Sequence, residues 1–377
     1  MRRVLLAVLV LVALVAPARG EHIDLTGLER QVGQDLIAAV TEPTFNDTEY
    51  VGDTDLVIGV ADGGTGEATA YPLKVLVWHE IVNDVVAGTP IAVTVCPLCR
   101  SGIVYERPTT DGEPLVFRVS GYLYRNNLVM YDVQTSSLWP QILGEAINGT
   151  HHGTRLRGVA ATTETWLEWR GAHPNTRVIA RPNPPVCFPD GTCIDGGIDY
   201  EVDPYEGYYA SDRTFRDRVY VDTRLHPKAL VFGLEQNGEA VAYPFVALEA
   251  SHAINDHVGG TPVVVTYHNG SAQAFVRGDR TFAWREHRTM TDGSGREFDM
   301  VTGEGTSDRL AKMDGVVAFW FAWKDHYPAT FVHGIDWPKP FDMAPFVIAG
   351  VAAAVAVSGL VLWRRRGRRK VTEPPSE

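Results

Sequence analysis

Residues 70–107 read AYPLKVLVWHEIVNDVVAGTPIAVTVCPLCRSGIVYER, and the markers in this stretch return at a constant offset of 172 residues. Ala70-Tyr71-Pro72 recurs as Ala242-Tyr243-Pro244, Asn83-Asp84 as Asn255-Asp256, Gly88-Thr89-Pro90 as Gly260-Thr261-Pro262 and Val93-Thr94 as Val265-Thr266. On the same offset Cys96 falls opposite His268, so one copy carries thiols and the other lacks them. A period this long is the size of a domain rather than of a solenoid unit, and it predicts two related domains.

Short β-branched runs at 56–60, 69–77, 91–95, 102–105, 115–119 and 127–131 are bracketed by Gly, Pro, Asp and Asn, the pattern of strands. Residues 162–173 combine a Thr-rich start, Trp166 and Trp169, and Pro174 as a stop, which predicts a short helix. The segment 163–176 returns as 317–330 with Trp320 and Trp323, and tryptophans at this spacing read as core anchors. Residues 28–41 predict a short helix, 78–84 a single helical turn, 176–180 a closing strand and 278–305 a less regular, glycine-rich stretch. The expected fold class is β-rich α+β, with two related domains of mainly antiparallel strands and a few short helices.

The 377 residues suit two domains with appendages. Arg2-Arg3, an apolar run over 4–16 and the small residues Ala16-Pro17-Ala18 predict a signal peptide over 1–20. An N-terminal arm (21–52), the first domain (53–181), a Pro/Gly-rich linker (182–217), the second domain (218–336) and a stiff connector (337–345) are expected to follow. Residues 346–363 are 18 uncharged positions, long enough for one transmembrane helix, and the basic tail 364–377 assigns the C-terminus to the cytoplasm. The expected location is the cell membrane, single-pass, with the N-terminal region outside. Three arginines before residue 20 and four net positive charges in the tail leave a net charge of −19 between them, out of −12 overall. Such an acidic surface repels phosphate backbones and disfavours nucleic acid as a partner.

Three stretches, Trp78-His79-Glu80-Ile81-Val82-Asn83-Asp84, Thr94-Val95-Cys96-Pro97-Leu98-Cys99 and Ser120-Gly121 through Asn126-Asn127-Leu128-Val129-Met130-Tyr131-Asp132, resemble the prokaryotic domain-of-unknown-function 3179 family. The resemblance covers roughly 53–181 and, more weakly, 205–334, as two tandem copies of which the second is degenerate. It implies no particular reaction. Candidate selenoproteins within the family imply redox or metal chemistry at the cysteine motif.

The four cysteines favour the pairs Cys96 with Cys99 and Cys187 with Cys193 by spacing, in a compartment where disulfides persist. The second pair is expected to be a structural disulfide that staples the linker. In the first, Cys-Pro-Leu-Cys brings two sulfurs within disulfide or chelating reach. Strands on both sides make it closer to a zinc-ribbon knuckle than to the helix-starting motif of thioredoxins. Cys96, Cys99 and His79 are the candidate metal ligands for copper or zinc, with Met130 a further one for Cu(I).

His79-Glu80 suggests an acid–base pair, set against a structural histidine, while Asn83-Asp84 persists in both copies and reads as turn geometry. Tyr122, Tyr124, Asn126 and Asn127 are a combination that can line a polar ligand pocket. The sequence has no Gly-x-Ser-x-Gly elbow, His-Glu-x-x-His helix or phosphate loop. These readings point to a membrane-anchored extracytoplasmic protein with a thiol redox or transition-metal site in its first repeat, serving an unidentified redox partner. The alternative is a non-catalytic surface binding module with purely structural disulfides.

Overall fold

The computed structural model describes residues 25–45, 48–182 and 197–336, with the backbone alone of 186–187 and 193–194. The expected signal peptide and the segments 337–345, 346–363 and 364–377 lie outside these residues. No helix among the described residues is long and apolar enough to cross a membrane.

After a short N-terminal strand, Leu28–Arg30 (β1), the first half is organised by Leu56–Ala61 (β2), Ala68–Pro72 (β3), Leu73–His79 (α1), Ile81–Val86 (β4), Thr89–Cys96 (β5) and Ser101–Glu106 (β6). β2 and β3 pair antiparallel, as do β4, β5 and β6 in sequence order. Pro72, with φ −59°, sets the direction of α1, and Glu80 ends it by adopting φ 59°, its amide donating to Leu76. The helix is short because a non-glycine residue in the left-handed region cannot continue it.

The same order recurs as Leu230–Gln236, Glu239–Pro244, a helix over Phe245–Ser251, Ala253–Val258, Thr261–His268 and Ser271–Val276. In each half a later strand joins the first sheet beside its opening strand, Ala161–Thr165 against β2 and Gly315–Phe319 against Leu230–Gln236. Each of these strands leads into a seven-residue helix, Trp166–Ala172 (α2) and Trp320–His326. The tryptophans are core anchors as expected: Trp169 Nε1 donates to Thr176 Oγ1 and Trp323 Nε1 to Thr330 Oγ1, both at 2.9 Å. Gly59 and Gly233 are obligatory beneath them, since a Cβ at either would lie 2.2 Å from the indole.

The described residues through His333 form one compact unit. One core cluster joins Ile81, Cys96, Cys99, Leu128, Met130 and Trp139 of the first half to Phe319, Phe321 and Ala322 of the second. Neither half therefore closes its apolar face alone.

Four expectations are corrected. The helix expected over 28–41 is absent: β1 pairs with Phe117–Tyr124, and Val40 bridges Val82 in parallel, so edge pairing overrides an accidental helical spacing of apolar residues. The helical turn expected over 78–84 is the end of α1 followed by β4. Residues 278–305 hold a three-stranded sheet, Phe282–Glu286, Thr289–Asp292 and Glu297–Asp299, closed around Phe282, Met290 and Phe298. Asn83 and Asp84 lie in a strand rather than a turn. Asn83 clamps the backbone of Phe117 with two hydrogen bonds, at 2.8 and 2.9 Å, and Asp84 accepts the Tyr71 hydroxyl at 2.6 Å. Asn255 holds Phe282 and Asp256 holds Tyr243 in the same way, which explains why both residues recur without any thiol nearby.

Candidate functional site

Cys96 is the last residue of β5, and Pro97–Cys99 make one turn of 3-10 helix that ends at Arg100 in the left-handed conformation, φ 52°. Proline suits the first position of such a turn, where its missing N–H is not needed. In the second half His268 and Ser271 face each other across the two residues Asn269 and Gly270, both at positive φ, a tight hairpin turn. In the first half Cys96 and Ser101 face each other across four. The cysteine turn is thus two residues longer than the connection that suffices at the same place in the same scaffold.

Both sulfurs are inside, with Cys96 1 % and Cys99 0 % exposed, and both are free thiols. Their surroundings are more polar than a packing role requires. Cys96 Sγ accepts the backbone N–H of Leu128 at 3.4 Å, and the Cys99 thiol donates to the carbonyl oxygen of Asn126 at 3.1 Å. Asn127 Nδ2 reaches Cys99 Sγ at 3.6 Å and Gln141 Oε1 at 3.0 Å, while its Oδ1 accepts from the Ile142 amide at 2.8 Å. Gln141 in turn donates to Thr94 and Ser101, so one amide braces both strands that flank the turn.

These contacts make the pair unequal. Burial disfavours a Cys96 thiolate, but the Cys99 S–H, the Leu128 and Cys99 backbone N–H groups and the Asn127 amide outweigh it and hold Cys96 below the ordinary thiol range. Burial first, and then Cys96 itself, push the Cys99 thiol well up. Of the two, Cys96 is the thiol whose anion these surroundings favour.

Part of the segment expected to be a linker is a strap over this turn. Tyr200, Glu201 and Val202 bind His79, Lys74 and Trp78 respectively. A one-turn helix, Glu206–Tyr209, then places Tyr208 with its hydroxyl donating to Leu98 O at 3.0 Å and Tyr209 beneath the Arg100 guanidinium, 4.8 Å from the ring centroid. Lys228 of the second half stacks on Tyr208 at 3.5 Å and donates to the carbonyl oxygens of Tyr208 and Ser211. Sequence reasoning missed these residues. The tyrosines sit among glycines and acids with no strand or helix period, and only their density signals that they cover something.

The other candidates separate from the thiols. His79 Nδ1 donates to the Ala38 carbonyl oxygen at 2.7 Å, and Nε2 lies 2.7 Å from the Tyr200 hydroxyl, so both ring nitrogens are engaged and neither is free to ligate while those bonds stand. Burial lowers its pKa. Among the described residues, no group of three or more His, Cys, Asp or Glu side chains is placed to hold a metal ion. Tyr124 is buried in an apolar cluster with Val129 and Ile147, and Tyr122 packs against that cluster beneath Arg30. Asn127 turns its amide to Cys99 and Gln141, whereas the Asn126 side chain binds the backbone of Arg216 and Asp217, so the four residues do not line one pocket. A cavity of about 650 Å³ along the joint between the halves, lined in part by Glu164, Arg288, Asp299 and Lys312, does not include either cysteine. Cys187 and Cys193 stand directly opposite in a two-stranded ladder, and their side chains lie outside what the structure describes.

Fold and site together define a β-rich protein with a covered, polar-braced dithiol. The chain belongs to the family described as "Protein of unknown function (DUF3179)", which matches residues 34–330 as a single domain. No curated protein and no solved structure matches it.

Proposed function

We propose that the protein is a thiol–disulfide redox protein whose working pair is Cys96 and Cys99, acting outside the cytoplasm and anchored through its C-terminal span. In this reading the dithiol gives two electrons and two protons to the disulfide of a partner, forming a Cys96–Cys99 disulfide and two partner thiols. The observation that carries it is the comparison of the two hairpins: the scaffold closes with Asn269-Gly270, yet the first half spends two more residues to hold an unequal, hydrogen-bonded thiol pair. We further take the chain to be two tandem copies of one ancestral unit, the second having kept the Asn and Asp clamps and lost the sulfur chemistry. Cys187 and Cys193 are assigned to a structural disulfide. Transition-metal binding at Cys96, Cys99 and His79 has less support, because both nitrogens of His79 are engaged.

Burial of both sulfurs favours a second reading, in which the thiols pack the turn and the protein is a binding module. Oxidation of the purified chain by glutathione disulfide, followed by peptide mass spectrometry and metal analysis, separates the readings. A reversible Cys96–Cys99 disulfide supports the redox reading. Thiols inert in the folded chain, or a stoichiometric transition metal held by them, overturn it.

A further inference from the structure

The turn that joins Phe117–Tyr124 to Asn127–Asp132 touches both the thiols and the strap. Tyr124 and Asn127 face each other across Arg125 and Asn126, two consecutive non-glycine residues at positive φ, 50° and 67°. Left-handed backbone is unfavourable for residues with a Cβ, so such a turn persists only where its surroundings hold it. Arg125 Nη1 is held by Asp325 O at 3.0 Å. Asn126 is buried and held from two sides. Its backbone carbonyl oxygen accepts the Cys99 thiol at 3.1 Å, the one donor to that oxygen among the described residues. Its side chain clamps the far end of the strap: Oδ1 accepts the Arg216 amide at 3.0 Å and Nδ2 donates to Asp217 O at 3.2 Å. The chain is pinned again just beyond, where the Asp325 carboxylate accepts the amides of Val219 and Tyr220 at 3.2 and 2.9 Å.

The second half contains the same hairpin without thiols. Asn83 clamps Phe117 and Asn255 clamps Phe282, which sets Phe117–Tyr124 in correspondence with Phe282–Glu286. There Glu286 and Thr289 face each other across His287 and Arg288, so Arg288 stands where Asn126 does. Its guanidinium pairs with Glu164 at 3.0 Å and Asp299 at 2.6 Å. The two-way asparagine clamp thus occurs in the half that carries the dithiol, and the scaffold itself does not require it.

We propose that Asn126 is the positioning residue through which the oxidation state of the dithiol controls the strap, an inference that rests on the redox reading above. When a disulfide oxidises the pair, a Cys96–Cys99 bond forms, the S–S bond of the oxidant breaks, and two electrons and two protons leave with the thiols released. Cys99 then has no S–H to donate, and the Asn126 carbonyl oxygen is buried without its donor. That state is unfavourable. The turn shifts to regain a partner and draws the side-chain clamp off Arg216 and Asp217. The reduced chain holds the strap against Leu98 and Arg100, the oxidised chain loosens it, and the two states present different surfaces to a partner.

The test is amide hydrogen exchange of residues 200–217, read by mass spectrometry in the full chain, reduced and after oxidation by glutathione disulfide, with α2 as an internal reference for global stability. Oxidation is expected to speed exchange of the strap about fivefold, the effect of losing one hydrogen bond, and to leave α2 unchanged. Cys99→Ala removes the donor without any oxidant and is expected to give the same rise in reducing buffer. Asn126→Gly tolerates the positive φ, keeps the carbonyl and loses the clamp, so its strap is expected to exchange fast in both states. Strap exchange that is unchanged by oxidation or by Cys99→Ala, or a redox dependence that survives in Asn126→Gly, overturns the inference and leaves the redox reading standing. A wild-type chain that forms no disulfide overturns the redox reading and this inference with it.

Discussion

The hydroxyl of Tyr208 donates to the carbonyl oxygen of Leu98 at 3.0 Å, tying the strap to the middle of the Cys-Pro-Leu-Cys turn. The bond joins the cover to the backbone of the cysteine turn, and in the redox reading it sets how often the pair is reachable. A hydrogen bond of this kind contributes about 1 kcal/mol. Tyr208→Phe should therefore increase the rate at which a small thiol reagent modifies Cys96 about fivefold, with little change in global stability. An unchanged rate in stopped-flow labelling would show that access does not depend on the strap.

The Cys99 proton is the leading favourable influence on the Cys96 thiolate. Cys99→Ala removes it, so Cys96 should ionise at higher pH than in wild type; Cys99→Ser keeps an O–H donor and should lie between the two. Thiolate absorbance followed against pH reads the order directly. The same order in the presence of denaturant would locate the effect in the unfolded chain and contradict the structural cause.

His326 is buried at the end of the second tryptophan helix, its Nδ1 donating to Ala322 O at 2.8 Å, and burial pulls its pKa down to about 4. In the unfolded chain it titrates near 6.5. Between these values the unfolded state binds more protons, so this group's contribution to stability falls as pH drops from about 6.5 to about 4 and is fully present above that window. The loss amounts to about 3 kcal/mol at the acid end. Denaturant unfolding of wild type and His326→Asn at pH 7 and pH 5 isolates it, since the variant should lose less stability than wild type on acidification.

Gly59 and Gly233 make the same demand in the two halves. A methyl group at either meets the six-membered ring of Trp169 or Trp323 at 2.2 Å, and overpacking of this kind costs about 1–3 kcal/mol. Gly59→Ala and Gly233→Ala should both lower the unfolding midpoint by comparable amounts. A neutral result at one of them would show that the half concerned can move its helix aside.

What the sequence made legible follows from this duplication. The clamps Asn83 and Asn255, the acceptors Asp84 and Asp256 and the tryptophan pairs were visible because the scaffold needs each of them twice. Their positions could be read, but their role as side-chain clamps within strands could not, because Asn-Asp has the chemistry of a turn when seen without its partners. The strap was hidden for the opposite reason. Tyr205, Tyr208 and Tyr209 have no counterpart and no period, and their meaning lies in contacts with residues about 110 positions away. Glu80 stood beside His79 in the sequence, where the two looked like one acid–base pair. The ring nitrogens of His79 bond Ala38 and Tyr200 rather than Glu80, and Glu80 itself serves as the positive-φ residue that ends the helix.

The central claim is that Cys96 and Cys99 are a cycling pair rather than a packed turn. Equilibrating the folded chain in glutathione buffers of stepped potential, trapping free thiols and counting them by mass gives the midpoint directly. The account predicts a two-electron transition of this pair in the range of cycling dithiols, roughly −120 to −270 mV. A pair that stays reduced across that range, with the fold intact, would contradict it.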